Sequence, residues 1–179
     1  NAHVSAFLID MDAPGVSLGS PDKKMGQRGA QIADIILEDV RVPARALLGG
    51  EEGRGFFAAM QALDSGRLSV GAAALGLAER ALETGLRYAM ERKAFGEPIA
   101  QFQLIQAMLA DSKAEIYASE CMMLDACARS ERGRASLEAS AFKMFATEMC
   151  GRVVDRVVQI HGGAGYLAEY EAERLFRDA

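Results

Sequence analysis

The sequence predicts a mainly α-helical protein in which a helical bundle follows a short β region. From Phe56 onward, apolar residues recur at every third or fourth position, which is the period of an amphipathic helix. Strand-like apolar runs are confined to residues 1–49, and a glycine-rich stretch separates the two parts. We therefore predict a partial antiparallel β domain at residues 1–50 and a four-helix-bundle-type domain at residues 51–179.

Two apolar runs make up the predicted β region. Residues 4–9 read VSAFLI and are closed by the turn-forming residues 12–15, DAPG. Residues 31–42 form a second, partly alternating run that Pro43 stops. Because two or three strands cannot bury both of their faces, we expect the second half of a β domain whose first half lies outside this chain.

Residues 47–55, LLGGEEGRG, contain four glycines and are predicted to form a loop or hinge before the helices. A phosphate-binding loop is the more specific functional interpretation of such a stretch. However, neither the dinucleotide-binding spacing nor the P-loop spacing is present. The hinge is therefore the favoured interpretation.

The first predicted helix has a single apolar stripe and a thin segment, GAAALG, at residues 71–76. Either Asp64 or Ser65 is predicted as its N-cap. The thin segment lets a neighbouring backbone or a ligand approach closely. The stripe consists of Leu75, Ala78, Leu82, Leu86 and Ala89.

Three further helices are predicted. The second runs from about residue 103 to residue 130 and is broken by Gly133, and the third has Ser136 as a plausible cap and ends at residues 162–163. A final short helix starts near Tyr170. The apolar face of the second helix comprises Ile105, Met108, Leu109, Ile116, Met123 and Ala126. That of the third comprises Leu137, Ala141, Met144, Phe145, Val154, Val157 and Val158.

Composition and charge restrict the classes of function. With 179 residues, half of them hydrophobic, the chain is long enough to bury a sizeable core. Its formal net charge of −5 argues against a nucleic-acid partner, because a phosphate backbone requires a basic face. No apolar run approaches the roughly 20 residues that a membrane-spanning helix needs. The three cysteines lack metal-ligand spacing, which indicates reduced thiols in a reducing compartment.

Arg92, at the predicted end of the first helix, is the first candidate for ligand binding. A guanidinium offers a fork of donors that matches the oxygens of a phosphate, and Phe95 is placed to cover an aromatic ring. Alternatively, Arg92 and Lys93 complement the helix C-terminus while Phe95 fills the corner between helices. The residues alone leave these two interpretations balanced.

Residues 159–166, QIHGGAGY, form the second candidate. Glycines at a helix end let backbone groups come close to a cofactor, and Gln159 adds a directional polar contact. Taken alone, the segment is better explained as a helix C-cap. His161 has no adjacent nucleophile or paired carboxylate in the sequence, so a catalytic base is the less favoured interpretation.

Asp64 and Arg67, three residues apart, form the third candidate, because they can pair with each other or meet a polar ligand. On spacing alone, a solvated salt bridge is favoured. The sequence contains no Ser/His/Asp arrangement, no paired histidine ligands and no CxxC motif, so no metal site is predicted.

Taken jointly, these segments resemble the acyl-CoA dehydrogenase family, in the family's order and over almost the whole chain. The last two of the matching segments together are specific to that family. The matching segments are LEDVRVP at 37–43, GEEGRGF at 50–56, LDSGRLSVGAAALGLAERAL at 63–82, YAMERKAFGEPIAQFQLIQAMLADS at 88–112 and QIHGGAGYLAEYEAERLFRDA at 159–179.

The resemblance implies a larger protein, of which this chain holds the back half of the β domain and most of the C-terminal bundle. It implies FAD as cofactor and the oxidation of an acyl-CoA to the 2,3-enoyl-CoA. In that reaction a glutamate removes the α-proton and a hydride leaves the β-carbon for the flavin. It also implies electron-transfer flavoprotein as electron acceptor, a homo-oligomer (dimer or tetramer), and a location in the bacterial cytoplasm or the mitochondrial matrix.

The resemblance also implies roles for residues at matching positions. Arg92 corresponds to the arginine that holds the FAD pyrophosphate of a neighbouring subunit, with Phe95 and Gln103 in the same contact region. The segment that lines the adenosine portion of that FAD corresponds to Gln159, Ile160, His161, Gly162 and Gly163. The segment that contacts the acyl-CoA corresponds to Asp64, Ser65, Gly66 and Arg67.

The sequence departs from the family's pattern in two respects, and both limit the activity that we expect of this chain. In most members the catalytic glutamate lies in an EGT motif shortly after the RDA sequence, whereas this chain stops at Ala179. Some members carry it in the helix that contains Arg67, where the matching position is Gly66. No residue of this chain is therefore assigned as the base. The β-domain segment that binds the flavin ring is also absent, so we expect a piece of a longer protein that is inactive alone.

Two alternatives stay open at this stage. One keeps the fold with other flavin chemistry, as in an acyl-CoA oxidase or a flavin monooxygenase. The other is a non-catalytic helical oligomerisation module.

Overall fold

The computed structural model describes residues 4–179, which divide into two compact units, residues 4–63 and residues 64–179. A mainly helical chain with a small antiparallel sheet confirms the predicted fold class. The elements in order are β1 (Val16–Leu18), β2 (Ile35–Leu37), α1 (Gly55–Glu91), β3 (Lys93–Ala94), β4 (Glu97–Pro98), α2 (Gln103–Arg132), α3 (Ser136–His161) and α4 (Glu171–Asp178).

Strands β1 and β2 pair antiparallel in the first unit, with Val16 opposite Leu37. The run predicted at residues 31–42 forms a strand only at its centre. The run predicted at residues 4–9 forms one isolated bridge, between Phe7 and Leu47, instead of a strand. The side chains of Leu8, Ile35 and Leu37 are all exposed. Two strands of three residues leave both faces of a sheet open, because pairing alone covers neither face.

The glycine-rich stretch forms the predicted loop. Gly49, Gly50 and Gly53 all have positive φ, the region that glycine adopts without steric cost. The N–H of Gly53 donates to Oγ of Ser5 at 2.9 Å. At Gly55, where α1 begins, an added Cβ would lie 2.5 Å from the backbone nitrogen of Ala6, so this position requires glycine. The hinge motion itself stays a prediction.

Helix α1 is continuous, which corrects two predicted caps. It begins at Gly55, so Asp64 and Ser65 lie inside the helix and neither is its N-cap. The residues between are strong helix formers, and nothing there ends a helix. The second correction concerns α3. Its N-cap position is Ala135, and the hydroxyl of Ser136 donates to Asp64 instead of capping the helix.

In the second unit, the core lies between the helices. The predicted core residues Leu75, Ala78, Ile116 and Val157 are buried. The prediction was wrong for Leu86, Leu137 and Met144, which are exposed. The buried face of α3 instead comprises Ala139, Phe142, Ala146, Met149, Cys150, Val153, Val154, Val157 and Ile160.

Glycines of α1 set how closely it packs on α3. An added Cβ at Gly71 would lie 2.5 Å from the ring of Phe142, and one at Gly85 would lie 3.1 Å from Val157. The thin segment predicted in α1 thus receives a large aromatic side chain of α3. This contact fixes the rotation of α3 and explains why Phe142, and not Met144, faces the core.

A short hairpin follows α1, in which two strands of two residues each are joined by a two-residue turn. No strand was predicted after the glycine-rich loop. Lys93 pairs with Pro98, and Ala94 pairs with Glu97. The two turn residues, Phe95 and Gly96, have φ of 54° and 94°. Two positive φ angles are what the tightest hairpin turns require, and glycine at the second position meets that requirement easily.

Within residues 4–179, no helix is both long enough and apolar enough to cross a membrane.

Candidate functional site

Three aromatic rings meet where α1 and α3 end and α4 approaches. The ring of Tyr88 stacks on that of His161, with centroids 4.1 Å apart and planes 23° apart. Tyr170, just before α4, presents an edge to both rings at 5.9 Å and 6.1 Å. Nδ1 of His161 lies 2.7 Å from the carbonyl oxygen of Val157. The imidazole is therefore held between two rings and one backbone carbonyl.

Beside these rings lies a pocket of about 420 Å³. It combines a cationic group, exposed glycine backbone and aromatic rings, which suit an anionic ligand that carries a flat ring. Its lining residues are Tyr88, Arg92, Ile99, Gln159, Ile160, His161, Gly162, Gly163, Ala164 and Tyr170. Six of the eight residues predicted to bind the cofactor therefore line one cavity.

Arg92 follows the last residue of α1 and lines this pocket. Its N–H donates to the carbonyl of Tyr88 at 2.8 Å, and its carbonyl accepts from the N–H of Ile99 at 2.9 Å. These bonds fix the backbone while the side chain stays exposed. Among residues 4–179, no carboxylate forms an ion pair with Arg92. Its guanidinium is free to bind an anion.

The glycine segment lines the same pocket. Helix α3 ends at His161, and Gly162 follows with φ of 57°, its N–H donating to the carbonyl of Gln159. This is the helix C-cap that the sequence predicted. Gly162 and Gly163 are exposed, and nothing lies within 4 Å of where their Cβ atoms would be. A ligand can therefore approach this backbone directly.

Two of the predicted cofactor residues lie outside the pocket. Phe95 is at the hairpin tip with 98% of its surface exposed, and its ring presents an edge to Phe102 at 6.2 Å. Phe95 therefore does not fill the corner between the helices. Gln103, the first residue of α2, is exposed. Neither side chain lines the cavity that holds Arg92.

The third candidate, Asp64–Arg67, is a paired cluster on α1. Oδ1 of Asp64 lies 2.6 Å from Nη1 of Arg67. Oδ2 accepts from the hydroxyl of Ser136 at 2.5 Å, and that hydroxyl accepts from Nε of Arg134 at 2.9 Å. Sequence reasoning missed Arg134 and gave Ser136 only a capping role. A possible signal was the basic turn RGR after α2, but no sequence pattern places it beside Asp64.

A depression of about 550 Å³ lies next to this cluster. Its lining is rich in arginine, and Arg132 has no ion pair with any residue between 4 and 179. The lining residues are Asp125, Ala128, Arg129, Arg132, Gly133, Arg134 and Glu138. Asp64 and Tyr88 are 24 residues apart on one continuous helix, which separates this cluster from the aromatic pocket by about 36 Å.

Two acidic residues tie the helices together near these sites. Glu171, next to Tyr170, accepts from Arg80 of α1 at 2.8 Å, and this hydrogen bond holds the pKa of Glu171 below its usual range. Glu115 of α2 accepts from Arg152 and Arg156 of α3 at 3.1 Å and 2.9 Å. Burial by itself would raise the pKa of Glu115, but the hydrogen bonds from the two arginines outweigh it and lower that pKa.

The thiol of Cys150 is not a candidate nucleophile. It is buried in the core, and burial raises its pKa to about 11. A thiol in that state is protonated at neutral pH and does not react.

Comparison with known proteins supports the resemblance that the matching segments indicated. The family model "Acyl-CoA dehydrogenase, C-terminal domain" matches residues 53–179. The chain is 46% identical over 177 residues to the probable acyl-CoA dehydrogenase YngJ of Bacillus subtilis, covering 98% of this chain and 46% of that protein. It is 43% identical over 176 residues to the caffeyl-CoA reductase-Etf complex subunit CarC of Acetobacterium woodii, with the same coverage.

Solved structures give the same result. Butyryl-CoA dehydrogenase from Megasphaera elsdenii matches with a TM-score of 0.96 and 39% identity, over 99% of this chain and 46% of that one. An acyl-CoA dehydrogenase complexed with FAD from Bacillus anthracis matches with a TM-score of 0.92 and 39% identity, over 98% of this chain and 34% of that one. The chain thus spans about half the length of the curated relatives it matches. By both sequence and fold, the chain belongs to the acyl-CoA dehydrogenase family.

Proposed function

We propose that this chain is part of a FAD-dependent acyl-CoA dehydrogenase, which oxidises an acyl-CoA thioester to the 2,3-enoyl-CoA. The observation that carries the proposal is the pocket that Arg92 and the segment Gln159–Gly163 line together. An unpaired guanidinium beside open glycine backbone suits a dinucleotide, because the phosphates need donors and close approach. The family's solved structures include one that holds FAD.

Each part of the pocket has a proposed role toward FAD. Arg92 binds the pyrophosphate, and the segment Gln159–Gly163 lines the adenosine. Phe95 and Gln103 lie outside the pocket, so any contact that they make is with parts of the cofactor beyond it. We further propose that this FAD belongs to a neighbouring subunit, which makes the enzyme a homo-oligomer, either a dimer or a tetramer.

The second proposed site is for the acyl-CoA substrate. It consists of Asp64, Ser65, Gly66 and Arg67, to which the structure adds the neighbours Arg134 and Ser136. Because these charges are already paired with each other, a polar contact with the substrate would form by exchange of partners.

When bound, FAD supplies the acceptor for the hydride that leaves the substrate. The residues of this chain bind and orient the cofactor and the substrate. None of them is proposed as the base that removes the α-proton. The isolated chain is therefore proposed to be inactive.

The proposed electron acceptor is electron-transfer flavoprotein. One relative is named as a subunit of a reductase-Etf complex, which supports this choice. The relatives named above come from bacteria, which favours the bacterial cytoplasm over the mitochondrial matrix.

The experiment uses the full-length protein that contains this chain. We expect its visible spectrum to show bound flavin, and anaerobic addition of butyryl-CoA to bleach that absorbance with formation of the enoyl-CoA. Electron-transfer flavoprotein should then restore the absorbance faster than oxygen does. Faster recovery with oxygen would indicate an oxidase or a monooxygenase, and a colourless protein that binds no added FAD would indicate an oligomerisation module.

A further inference from the structure

We infer that an ion pair between Arg80 of α1 and Glu171 of α4 positions the ring of Tyr170 at the aromatic pocket. Neither member of the pair lines the pocket, whereas Tyr170 does. Arg80 and Glu171 are therefore positioning residues, which act on a bound ligand through that ring. The inference rests on the proposed function for the identity of the ligand, FAD, and adds two residues that lie outside the cofactor site.

The pair joins two helices that are 91 positions apart in the sequence. Nη2 of Arg80 donates to Oε2 of Glu171 at 2.8 Å, and Nε donates to the same oxygen at 3.2 Å. Thr84, one turn further along α1 and only 5% exposed, donates its hydroxyl to that oxygen at 3.4 Å. One carboxylate oxygen of α4 therefore receives three donors from α1.

The same face of α1 carries the contact to the pocket. Arg80, Thr84 and Tyr88 follow one another at four-residue spacing, so they lie on one face of the helix. The first two contact Glu171, and the ring of Tyr88 contacts the edge of Tyr170 at 5.9 Å. Because consecutive Cα atoms are about 3.8 Å apart, holding Glu171 on this face also holds the backbone of Tyr170 there.

The core contacts of α4 lie after Tyr170 and do not position it by themselves. The helix has eight residues, which is too short for a helix to be stable alone. Ala172 and Leu175 are buried and attach it to the core. Tyr170 occupies the N-cap position, where no side chain caps the helix, and its N–H bonds to the carbonyl of Leu167 in the same loop. Glu171 ties this end of α4 to α1.

Two further ion pairs of the same cluster stay within one helix and provide matched controls. Arg80 also pairs with Glu83 at 2.9 Å inside α1. Glu171 also pairs with Arg174 at 2.7 Å inside α4. Neutralising Glu83 or Arg174 changes the charge of the cluster by one unit, as neutralising Glu171 or Arg80 does, but leaves the link between the two helices intact.

The test measures FAD binding by calorimetry on the full-length protein after removal of its flavin. We expect Arg80→Gln and Glu171→Gln each to bind FAD about threefold to fivefold more weakly than the wild type, because a partly exposed ion pair can transmit no more than that. The double variant should bind no more weakly than either single variant. The controls Glu83→Gln and Arg174→Gln should bind FAD like the wild type.

Tyr170 separates a positioning role from a role in stability alone. In the Tyr170→Ala background, which lacks the ring, Glu171→Gln should cause no further loss of FAD affinity. A pair that only anchors α4 would lower the affinity by the same factor in both backgrounds. In the flavin-free protein with 3-fluorotyrosine at position 170, the fluorine resonance should move in Arg80→Gln and stay in place in Glu83→Gln.

Four results would overturn the inference and leave the proposed function intact. They are wild-type affinity for FAD in both Arg80→Gln and Glu171→Gln, an equal loss of affinity in Glu83→Gln, a further loss in the Tyr170→Ala background, and a fluorine resonance that does not move in Arg80→Gln. If the wild type bound no FAD, the proposed function would fall. A fluorine resonance that moved in Arg80→Gln would then keep the positioning of Tyr170 and remove only the identity of the ligand.

Discussion

The two candidate sites on α1 differ in how their polar groups are satisfied. At the C-terminal end, Arg92 has no ion pair among the described residues, and the backbone of Gly162 and Gly163 is exposed. At the other site, Asp64 is bonded to both Arg67 and Ser136. A group that is left unpaired costs little to engage with a ligand, whereas a paired group must first give up its partner. We therefore expect the aromatic pocket to bind a ligand more tightly than the Asp64 cluster does.

The largest expected effect comes from Arg92→Gln. If Arg92 binds the pyrophosphate, loss of its charge-assisted hydrogen bonds should weaken FAD binding by about 10- to 100-fold. The melting temperature of the flavin-free protein should stay unchanged, because Arg92 has no ion pair in the described chain. Both quantities are measured on the full-length protein, by flavin fluorescence and by calorimetry.

Arg87→Gln is the matched control for Arg92→Gln. Arg87 is exposed on α1, also lacks an ion pair within residues 4–179, and does not line the pocket. Its variant should bind FAD like the wild type. Equal losses in the two variants would show that only the overall charge of this surface matters.

The second-largest expected effect is a loss of stability on substitution of a glycine in α1. Gly71→Ala should destabilise the protein by about 2 kcal/mol, because the added Cβ would lie 2.5 Å from the ring of Phe142 and overpack the core. Gly76 is the matched control, since it is exposed in the same helix with nothing within 4 Å. Gly76→Ala should stabilise the protein by about 0.5 kcal/mol or more, through helix propensity alone.

Urea unfolding of both glycine variants measures these free energies. Two equal changes of the same sign would show that α1 and α3 are not packed as closely as the structure indicates.

The sequence predicted the aromatic pocket better than the Asp64 cluster, for a physical reason. Arg92 and the segment at residue 159 both lie at helix ends, and a helix end can be marked by a local residue such as Gly162. The contact between Asp64 and Ser136 is set by packing of α1 against α3, which joins residues 72 positions apart in the sequence. Hydrophobic period alone could not fix the rotation of α3, so Met144 was placed in the core instead of Phe142.

The predicted caps were wrong for a related reason. A serine or an aspartate before an apolar run favours a helix start, yet at Asp64 the preceding residues continue the helix to Gly55. The hairpin at Phe95 was missed because its strands have only two residues each, too short for any alternation to be visible.

A smaller effect is expected at the paired site. Asp64→Asn should destabilise the protein by about 1–2 kcal/mol, because the carboxylate is 22% exposed and holds both Arg67 and Ser136. FAD affinity should not change, since the pocket is about 36 Å away along α1. This is the reverse of the pattern expected for Arg92→Gln. Glu79→Gln serves as the control, because Glu79 is exposed on α1 without an ion pair in the described chain.

The measurement for Asp64→Asn combines urea unfolding with titration of FAD. If the variant is as stable as the wild type, the cluster is solvated and contributes nothing to the free energy of unfolding. A loss of FAD affinity without a loss of stability would contradict the assignment of the two sites to different ligands.

The smallest effect is a dependence of stability on pH at Glu115. Its pKa in the folded protein is lowered below the ordinary value of 4.5. The unfolded chain therefore takes up the proton first as the pH falls. The stability that Glu115 contributes is fully present above pH 4.5 and is lost as the pH falls through the folded-state pKa. Glu115→Gln should cost about 1 kcal/mol at pH 7, and the difference from the wild type should shrink below pH 4.5.

Urea unfolding of the wild type and of Glu115→Gln between pH 7 and pH 3 follows this difference. Glu131→Gln is the control, because Glu131 is exposed on the same helix without an ion pair in the described chain. A constant difference between wild type and Glu115→Gln down to pH 3 would show that the two arginines stabilise α2 and α3 through packing of their side chains and not through the charge of the carboxylate.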